Sequence, residues 1–195
     1  MTKERELFEP EDDASWRAWL AEHHTRTTGI WLVLRKKSAP VPNLTWTEAV
    51  RTALCFGWID STSGTLDEHR SLVWVSPRRV GSWWSGINKQ AIAELAEQDL
   101  IEPAGQATID RARADGTWTA LDEVEAGVVP EDLARAFAAH PGSAEEFASF
   151  PRGVRRGILE WIARAKRPQT RAHRIDETAT MAQRGERAHQ WSKKT

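Results

Sequence analysis

Apolar residues recur at helical spacing in several stretches of the first 120 residues. Trp16, Trp19 and Leu20 fall on one helical face. Thr45 and Glu48 have the spacing of a capping box, which opens a helix. Helices are predicted over residues 12–22, from Thr45 to a stop at Gly57, after a cap at Ser82 or Ser85, and from Pro103. The third of these is expected to bury Trp84, Ile87, Ala91 and Leu95 on one face.

Strands are predicted between these helices. The stretch GIWLVLRKK, residues 29–37, alternates in a way that indicates a strand covered on both faces. Residues 58–61 and 72–76 are short strand candidates that can pair through the polar loop between them. The first part of the chain therefore reads as an α+β domain built on a small antiparallel sheet.

The second part of the chain reads differently. The stretch DEVEAGVV, residues 122–129, has no helical stripe and is interpreted as a linker. Beyond it, prolines mark helix starts and Gly185 marks the end of the last helix; the prolines are Pro130, Pro151 and Pro168. The predicted organisation is an α+β domain over 1–121, a linker over 122–129 and an all-helical lobe over 130–195.

Charge is distributed unevenly between these parts. Of 27 basic and 28 acidic residues, 12 basic and 4 acidic ones lie in residues 151–195. A basic tail on an acidic body indicates either charges solvated or paired within the protein, or contact with nucleic acid. The nucleic-acid alternative would use the basic residues Arg164, Lys166, Arg167, Arg171 and Arg174. It ranks last because the sequence has no helix-turn-helix, RNP or zinc-finger signature.

Composition and residue spacing exclude several classes of protein and of site. The charged N-terminal residues lack a secretory signal, and no apolar run reaches the ~18 residues needed to span a bilayer, so we expect a cytoplasmic protein. The single cysteine cannot form an internal disulfide. No histidine or cysteine spacing matches a metal site, and we expect neither metal nor cofactor. Oligomeric state stays open.

Two residues are candidates for a catalytic or ligand-binding role. Cys55 lies near the C-terminal end of its predicted helix, where the helix dipole opposes thiolate formation, so a structural role is favoured. Asp60 follows Trp58 and Ile59 on a predicted strand and is a candidate general base or an anchor for a basic ligand group. The alternative is an ion pair between Asp60 and Arg78 or Arg79. Whether the protein is an enzyme stays open.

The stretch SPRRVGSWWSGIN, residues 76–88, is the strongest local candidate for a binding site. Its two arginines leave a strand just ahead of a helix N-terminus, which favours an anion or a planar ligand. The alternative is a corner where strand meets helix, with Trp84 in the core. The predicted ligand-binding residues are Trp58, Asp60, Arg78, Arg79, Trp83, Ser85 and Asn88.

Several motifs resemble the bacterial YdeI/OmpD-associated family, also described as bacteriocin-protection proteins. They are LCFGWID at 54–60, the Pro-Arg-Arg at 77–79, Ser-x-Trp-Ser-x-x-Asn at 82–88, Pro-Ala-Gly at 103–105 and WIARAKRPQTRAHRI at 161–175. The run at 61–64, Ser-Thr-Ser-Gly, departs from the glycine and basic residue usual in the family. Trp46 stands where another aromatic residue such as tyrosine is common.

The resemblance implies a role in stress or in tolerance of antimicrobial peptides. It supplies no established catalytic set. We therefore expect a binding protein for a small-molecule or peptide ligand, with its site between residues 58–60 and 78–88. A small enzyme that acts on a planar or anionic molecule through Asp60, Arg78 and Arg79 is the first alternative, and nucleic-acid binding is the second.

Overall fold

The computed structural model describes residues 6–189. The chain divides into two compact units, Met1–Ala120 and Leu121–Thr195. The first carries the sheet and four helices among its described residues, and the described part of the second is helical.

The first unit is built on a four-stranded mixed sheet. Its strands are β1 (Leu7–Phe8), β2 (Ile30–Arg35), β3 (Trp58–Thr65) and β4 (Arg70–Pro77), in the order β1-β2-β4-β3. The antiparallel pairs β2–β4 and β3–β4 agree with the predicted sheet. The prediction missed β1, which pairs in parallel with β2, because two residues are too short to show alternation.

Four helices accompany the sheet: α1 (Asp13–His23), α2 (Trp46–Cys55), α3 (Gly86–Ala96) and α4 (Pro103–Ala114). The predicted capping box of α2 is present, with the Thr45 side chain accepting from the Glu48 backbone N–H. Helix α3 is capped by Ser85, whose hydroxyl accepts from the backbone N–H of Asn88. Because α3 begins only at Gly86, Trp84 precedes the helix and is not part of its apolar face.

Tryptophan rings fill much of the core of this unit. Trp16, Trp58 and Trp84 are fully buried among aliphatic side chains of β2, β4 and α2. Each of the first two indoles keeps a hydrogen bond, from Trp16 Nε1 to the Ala49 carbonyl and from Trp58 Nε1 to the His24 carbonyl, both 3.0 Å. Satisfied N–H groups allow such large rings to lie inside without the penalty of an unpaired donor.

Two glycines fix the connection from α2 to β3. Gly57 has a φ of +74°, a left-handed conformation that favours glycine, and it turns the chain directly into Trp58. A Cβ at Gly105 would lie 2.2 Å from the Cys55 carbonyl oxygen, so α4 packs against the end of α2 only with glycine there. This close packing sets where β3 starts, and thereby where Asp60 lies.

The described part of the second unit contains five helices. They are α5 (Asp122–Ala126), α6 (Glu131–Ala139), α7 (Ser143–Ser149), α8 (Arg152–Ala163) and α9 (Pro168–Gln183). Helix α5 corrects the interpretation of 122–129 as a linker. Its five residues are too few to show a stripe, yet Val124 is buried and Gly127 ends the helix in a left-handed conformation.

The core of the second unit lies between α6, α7, α8 and α9. Its most buried apolar side chains include Leu133, Phe147, Ile158 and Ile162. Within the described range 6–189, none of the helices has the length and apolar character that crossing a membrane requires.

Candidate ligand-binding groove in the first unit

A groove of about 490 Å³ lies between α2, the start of β3 and the N-terminal half of α3. This volume is in the range of small-ligand pockets, roughly 300–1,000 Å³. We call it the Asp60 groove. Its lining includes Trp46, Val50, Asp60, Ser85, Ile87 and Asn88.

Asp60 reaches the groove from the third residue of β3. It pairs with Val75 of β4, and the register between the two strands shifts before Ser63. Its Oδ2 accepts a hydrogen bond of 2.8 Å from the indole Nε1 of Trp46. Its Oδ1 accepts no hydrogen bond from any residue between 6 and 189. One acceptor of this carboxylate is therefore open to a ligand.

Asn88 adds an amide from the first turn of α3. Its backbone N–H is held by the Ser85 hydroxyl at 3.4 Å, which fixes the position of the residue on the helix. Within the described part of the chain, its side-chain amide makes no hydrogen bond. The amide can both donate and accept hydrogen bonds, whereas the open oxygen of Asp60 can only accept them. A ligand can therefore meet a donor as well as acceptors in this groove.

Apolar surface surrounds these polar groups. Ile87 is 82% exposed and Trp46 is 42% exposed, although both are large apolar residues. The expectation that Ile87 packs into the core is wrong, because α3 begins at Gly86 and turns this side chain outward. Exposed apolar side chains gathered around unpaired polar groups are typical of a binding site.

An ion pair borders the groove on α2 and α3. Arg51 Nη1 lies 2.5 Å from Glu94 Oε2, and the other carboxylate oxygen of Glu94 accepts from Gln90 Nε2 at 3.1 Å. These hydrogen bonds, Arg51 first, lower the pKa of Glu94. Each oxygen of Glu94 thus has a hydrogen-bond partner, whereas Asp60 keeps one oxygen without a partner among the described residues.

Arg78 lies in a different environment, which we call the Arg78 corner: Arg78, Trp83 and Trp84. Arg78 is only 7% exposed, and its guanidinium carbon lies 3.8 Å from the centre of the Trp84 ring. Its Nη2 donates to the Trp83 carbonyl at 2.6 Å. Its Nε and Nη1 are buried and make no hydrogen bond. Burial lowers the pKa of Arg78 to about 10, and the negative charge of Asp60 opposes that shift.

The predicted site residues thus separate into two sets. Asp60, Ser85 and Asn88 line the groove together, as the binding hypothesis requires. The others do not line it: Trp58 is 1% exposed in the core, Arg78 is buried against Trp84, Arg79 is exposed on the surface and Trp83 is half-buried. Arg78 and Arg79 therefore do not line the Asp60 groove together with the aspartate, because the chain turns Arg78 inward and Arg79 outward.

The sequence prediction missed Trp46 and Ile87 as groove residues. Trp46 follows the cap residue Thr45 in a helix that looks amphipathic, so the ring reads as part of the apolar stripe. A signal existed for Ile87: it directly follows the Ser-Gly pair 85–86, so a helix start there puts it in the first turn.

Cys55 is buried, and its Sγ lies 3.4 Å from the Arg51 carbonyl oxygen, to which it donates. Burial raises the pKa of its thiol, although the neighbouring Arg17 guanidinium opposes the shift. A raised pKa keeps the thiol protonated and unreactive, which agrees with the structural role expected for it. Across residues 6–189, no cluster of three or more histidine, cysteine, aspartate or glutamate side chains could hold a metal ion.

Several basic residues of the second unit are engaged inside that unit. Arg171 forms an ion pair with Asp132, with Nε 2.6 Å from Oδ2, and this contact lowers the pKa of Asp132. Arg174 donates to the Trp161 carbonyl. Arg164 pairs with Glu160 on the same helix. Of the five candidates for nucleic-acid contact, only Lys166 and Arg167 are exposed without any contact of this kind.

Family models match both parts of the chain. Residues 8–108 match a family described as a domain of unknown function, DUF8412. The chain belongs to the DUF8412 family. The DUF8412 match contains the whole Asp60 groove and the Arg78 corner. Residues 126–185 match a second family, described as bacteriocin-protection, YdeI or OmpD-associated.

The second match confirms the resemblance for the motif at 161–175 and limits it to that part of the chain. The motifs at 54–60, 77–88 and 103–105 fall within the DUF8412 match instead. Searches of curated proteins and of solved structures gave no match.

Proposed function

We propose that this protein binds a ligand in the Asp60 groove and that this binding serves protection against bacteriocins or a related stress. The observation that carries the binding role is the meeting of unpaired polar groups, Asp60 Oδ1 and the Asn88 amide, with the exposed Trp46 and Ile87. The protective role is supported by the match of residues 126–185 to a bacteriocin-protection family. A cytoplasmic location belongs to this proposal.

The groove supports binding better than the Arg78 corner does. In the corner, the guanidinium stacks on Trp84 and donates to a backbone carbonyl, and its two unpaired nitrogens are buried out of reach of a ligand. In the groove, the Asp60 carboxylate and the Asn88 amide are half-exposed, and a ligand can reach them. The free energy of placing Ile87 and Trp46 at the surface is recovered only when something covers them, at about 25 cal/mol per Å² of apolar area.

A protection assay tests the proposed function. A bacterial host that lacks this protein and is killed by a purified bacteriocin receives the wild-type chain, Ile87→Ser or Val80→Ser. Val80 is the matched control because it is 73% exposed and lies outside the groove. We expect the wild type and Val80→Ser to raise the inhibitory concentration, and Ile87→Ser to raise it less.

Equal protection by the wild type and Ile87→Ser would contradict a role for the groove. No protection by the wild type against any bacteriocin tested would contradict the protective role itself. Protein levels in the cells must be equal for the comparison, and immunoblotting verifies this.

An enzymatic function is a second candidate, favoured by the position of Asp60 in a groove. A base that shuttles protons needs a second group to complete the reaction. The other ionisable side chains of the groove, Arg51 and Glu94, are paired with each other. Turnover of a planar or anionic compound by the wild type, abolished in Asp60→Asn, would establish this alternative.

A further inference from the structure

The unpaired groups of the Asp60 groove indicate what kind of ligand it takes. A carboxylate oxygen without a partner accepts hydrogen bonds only, so it selects a donor. Donors that carry positive charge form the stronger, shorter bonds with a carboxylate. Asp60 Oδ1 therefore favours an ammonium or guanidinium group over a neutral donor.

The indole ring of Trp46 supports the same choice. It lies directly beside the carboxylate, because its Nε1 bonds to Oδ2 at 2.8 Å. The face of this half-exposed ring attracts cations and disfavours anions, so a ligand cation is favoured in this part of the groove. The buried Arg78 reduces the long-range negative potential at Asp60, so the local hydrogen bond and the ring contact have to carry the recognition.

The Asn88 amide indicates what kind of molecule carries the cationic group. A side-chain amide has one donor group and one acceptor, the same pair that a peptide unit presents in its N–H and C=O. Asn88 and Asp60 line the same groove of about 490 Å³. A peptide whose basic side chain reaches Asp60 would place a backbone amide within reach of Asn88.

The exposed apolar residues indicate the neighbouring side chain of that peptide. Ile87 and Val50 line the groove with Trp46 and offer no hydrogen bond through their side chains. An apolar residue next to the basic one would cover them and remove apolar area from water. The arrangement thus matches an amphipathic peptide segment, with one basic and one apolar residue adjoining.

We infer that the Asp60 groove binds a basic amphipathic peptide, with a lysine or arginine side chain on Asp60, the peptide backbone on Asn88 and an apolar side chain on Ile87. This inference rests on the proposed binding function and names its ligand class. It assigns Asp60 the role of an anchor for a basic group.

A titration with two short peptides tests the inference. N-acetyl-lysyl-leucine amide carries the basic and the apolar group, and N-acetyl-norleucyl-leucine amide lacks only the charged nitrogen. The titration follows the indole N–H resonance of Trp46, which reports on the Asp60 carboxylate because the two are hydrogen-bonded. Trp46→Phe assigns this resonance among those of the eleven tryptophans.

We expect the lysyl peptide to shift this resonance with a dissociation constant at least about tenfold below that of the norleucyl peptide, as one charge-assisted bond warrants. Asp60→Asn should abolish the difference between the peptides, and Asn88→Ala should weaken both. Glu68→Gln removes an exposed acidic charge outside the groove and serves as the control. It should leave both constants unchanged.

Equal affinity for the two peptides, or lysyl binding that survives in Asp60→Asn, would overturn the inference. So would the absence of any shift with the lysyl peptide. The protection assay separates these results from failure of the proposed function. Loss of protection in Ile87→Ser together with no preference for the lysyl peptide means that the groove functions with a ligand of another class.

Discussion

The Arg78 corner and the Asp60 groove are built from the same kinds of residue but use them in opposite ways. Each combines a charged side chain with an indole ring. In the corner, the guanidinium is buried on Trp84 and bonds to the Trp83 carbonyl. In the groove, the carboxylate bonds to the indole edge of a half-exposed Trp46 and keeps one oxygen open.

The difference shows that tryptophan and charge together do not indicate a ligand site. What separates the two regions is whether the charged group and the neighbouring apolar side chains are buried or exposed. We therefore expect the corner to stabilise the fold, and the groove to contribute little to stability and to leave groups available for binding. Substitutions in the two regions should therefore affect different measurements.

The largest effect is expected for Arg78→Ala. It removes a buried side chain stacked on Trp84 and leaves a cavity, so we expect a loss of about 3 kcal/mol in the free energy of unfolding. The neighbouring Arg79→Ala is the control, and because Arg79 is exposed it should change stability by no more than about 0.5 kcal/mol. Urea denaturation measures both.

A smaller loss in Arg78→Ala than in Arg79→Ala would show that the corner is not a packing element. Arg78→Met separates packing from charge. Because two guanidinium nitrogens are buried without partners, replacement by an apolar chain of similar length should cost less than the alanine substitution.

We expect Cys55, a buried residue of α2, to make the free energy of unfolding depend on pH. Burial raises the pKa of its thiol above the ordinary value of 9.0. The folded chain then holds a proton that the unfolded chain releases, so the free energy of unfolding should fall as pH rises above about 9. Comparison of the wild type with Cys55→Ala in urea at pH 8 and 10 measures this contribution. An equal pH dependence in the two proteins would contradict it.

A still smaller effect on stability is expected for Asp60→Asn. The asparagine carbonyl can still accept from Trp46 Nε1, so only the Coulomb interaction with Arg78 is lost. We expect a change below about 1 kcal/mol in the free energy of unfolding. A loss as large as that of Arg78→Ala would place Asp60 among the structural residues.

The smallest effect is expected for Ile87→Ser. The side chain is 82% exposed, so its removal should change the free energy of unfolding by no more than about 0.5 kcal/mol. Thermal denaturation checks this, with Val80→Ser as the matched control. A large destabilisation would mean that Ile87 packs against part of the protein and is not available to a ligand.

The sequence predicts much of the fold, because local rules decide it. The capping box at Thr45 and Glu48, the alternation in residues 29–37 and the starting prolines Pro103 and Pro168 appear as expected. The errors fall where local signals are short: the two-residue β1, the five-residue α5 and the apolar face assigned to the first turn of α3. Each of these depends on pairing or packing with distant residues.

The site was harder to predict, for a physical reason. Whether an arginine faces a ligand or the core depends on one turn of the chain, and adjacent arginines at 78 and 79 point in different directions. Ser85 and Asn88, from the motif at 76–88, line the same groove as Asp60. The sequence does not predict Trp46 as a groove residue, because its contact with Asp60 joins α2 to β3. Spacing along the chain does not indicate such contacts.

The most direct test of the account is the change in thermal unfolding midpoint that N-acetyl-lysyl-leucine amide produces in the wild type and in Asp60→Asn. A ligand that binds only the folded state raises the midpoint, so the account predicts a rise in the wild type and none in the variant. An equal rise in the two proteins, or no rise in either, would contradict the claim that Asp60 is held open for a basic ligand.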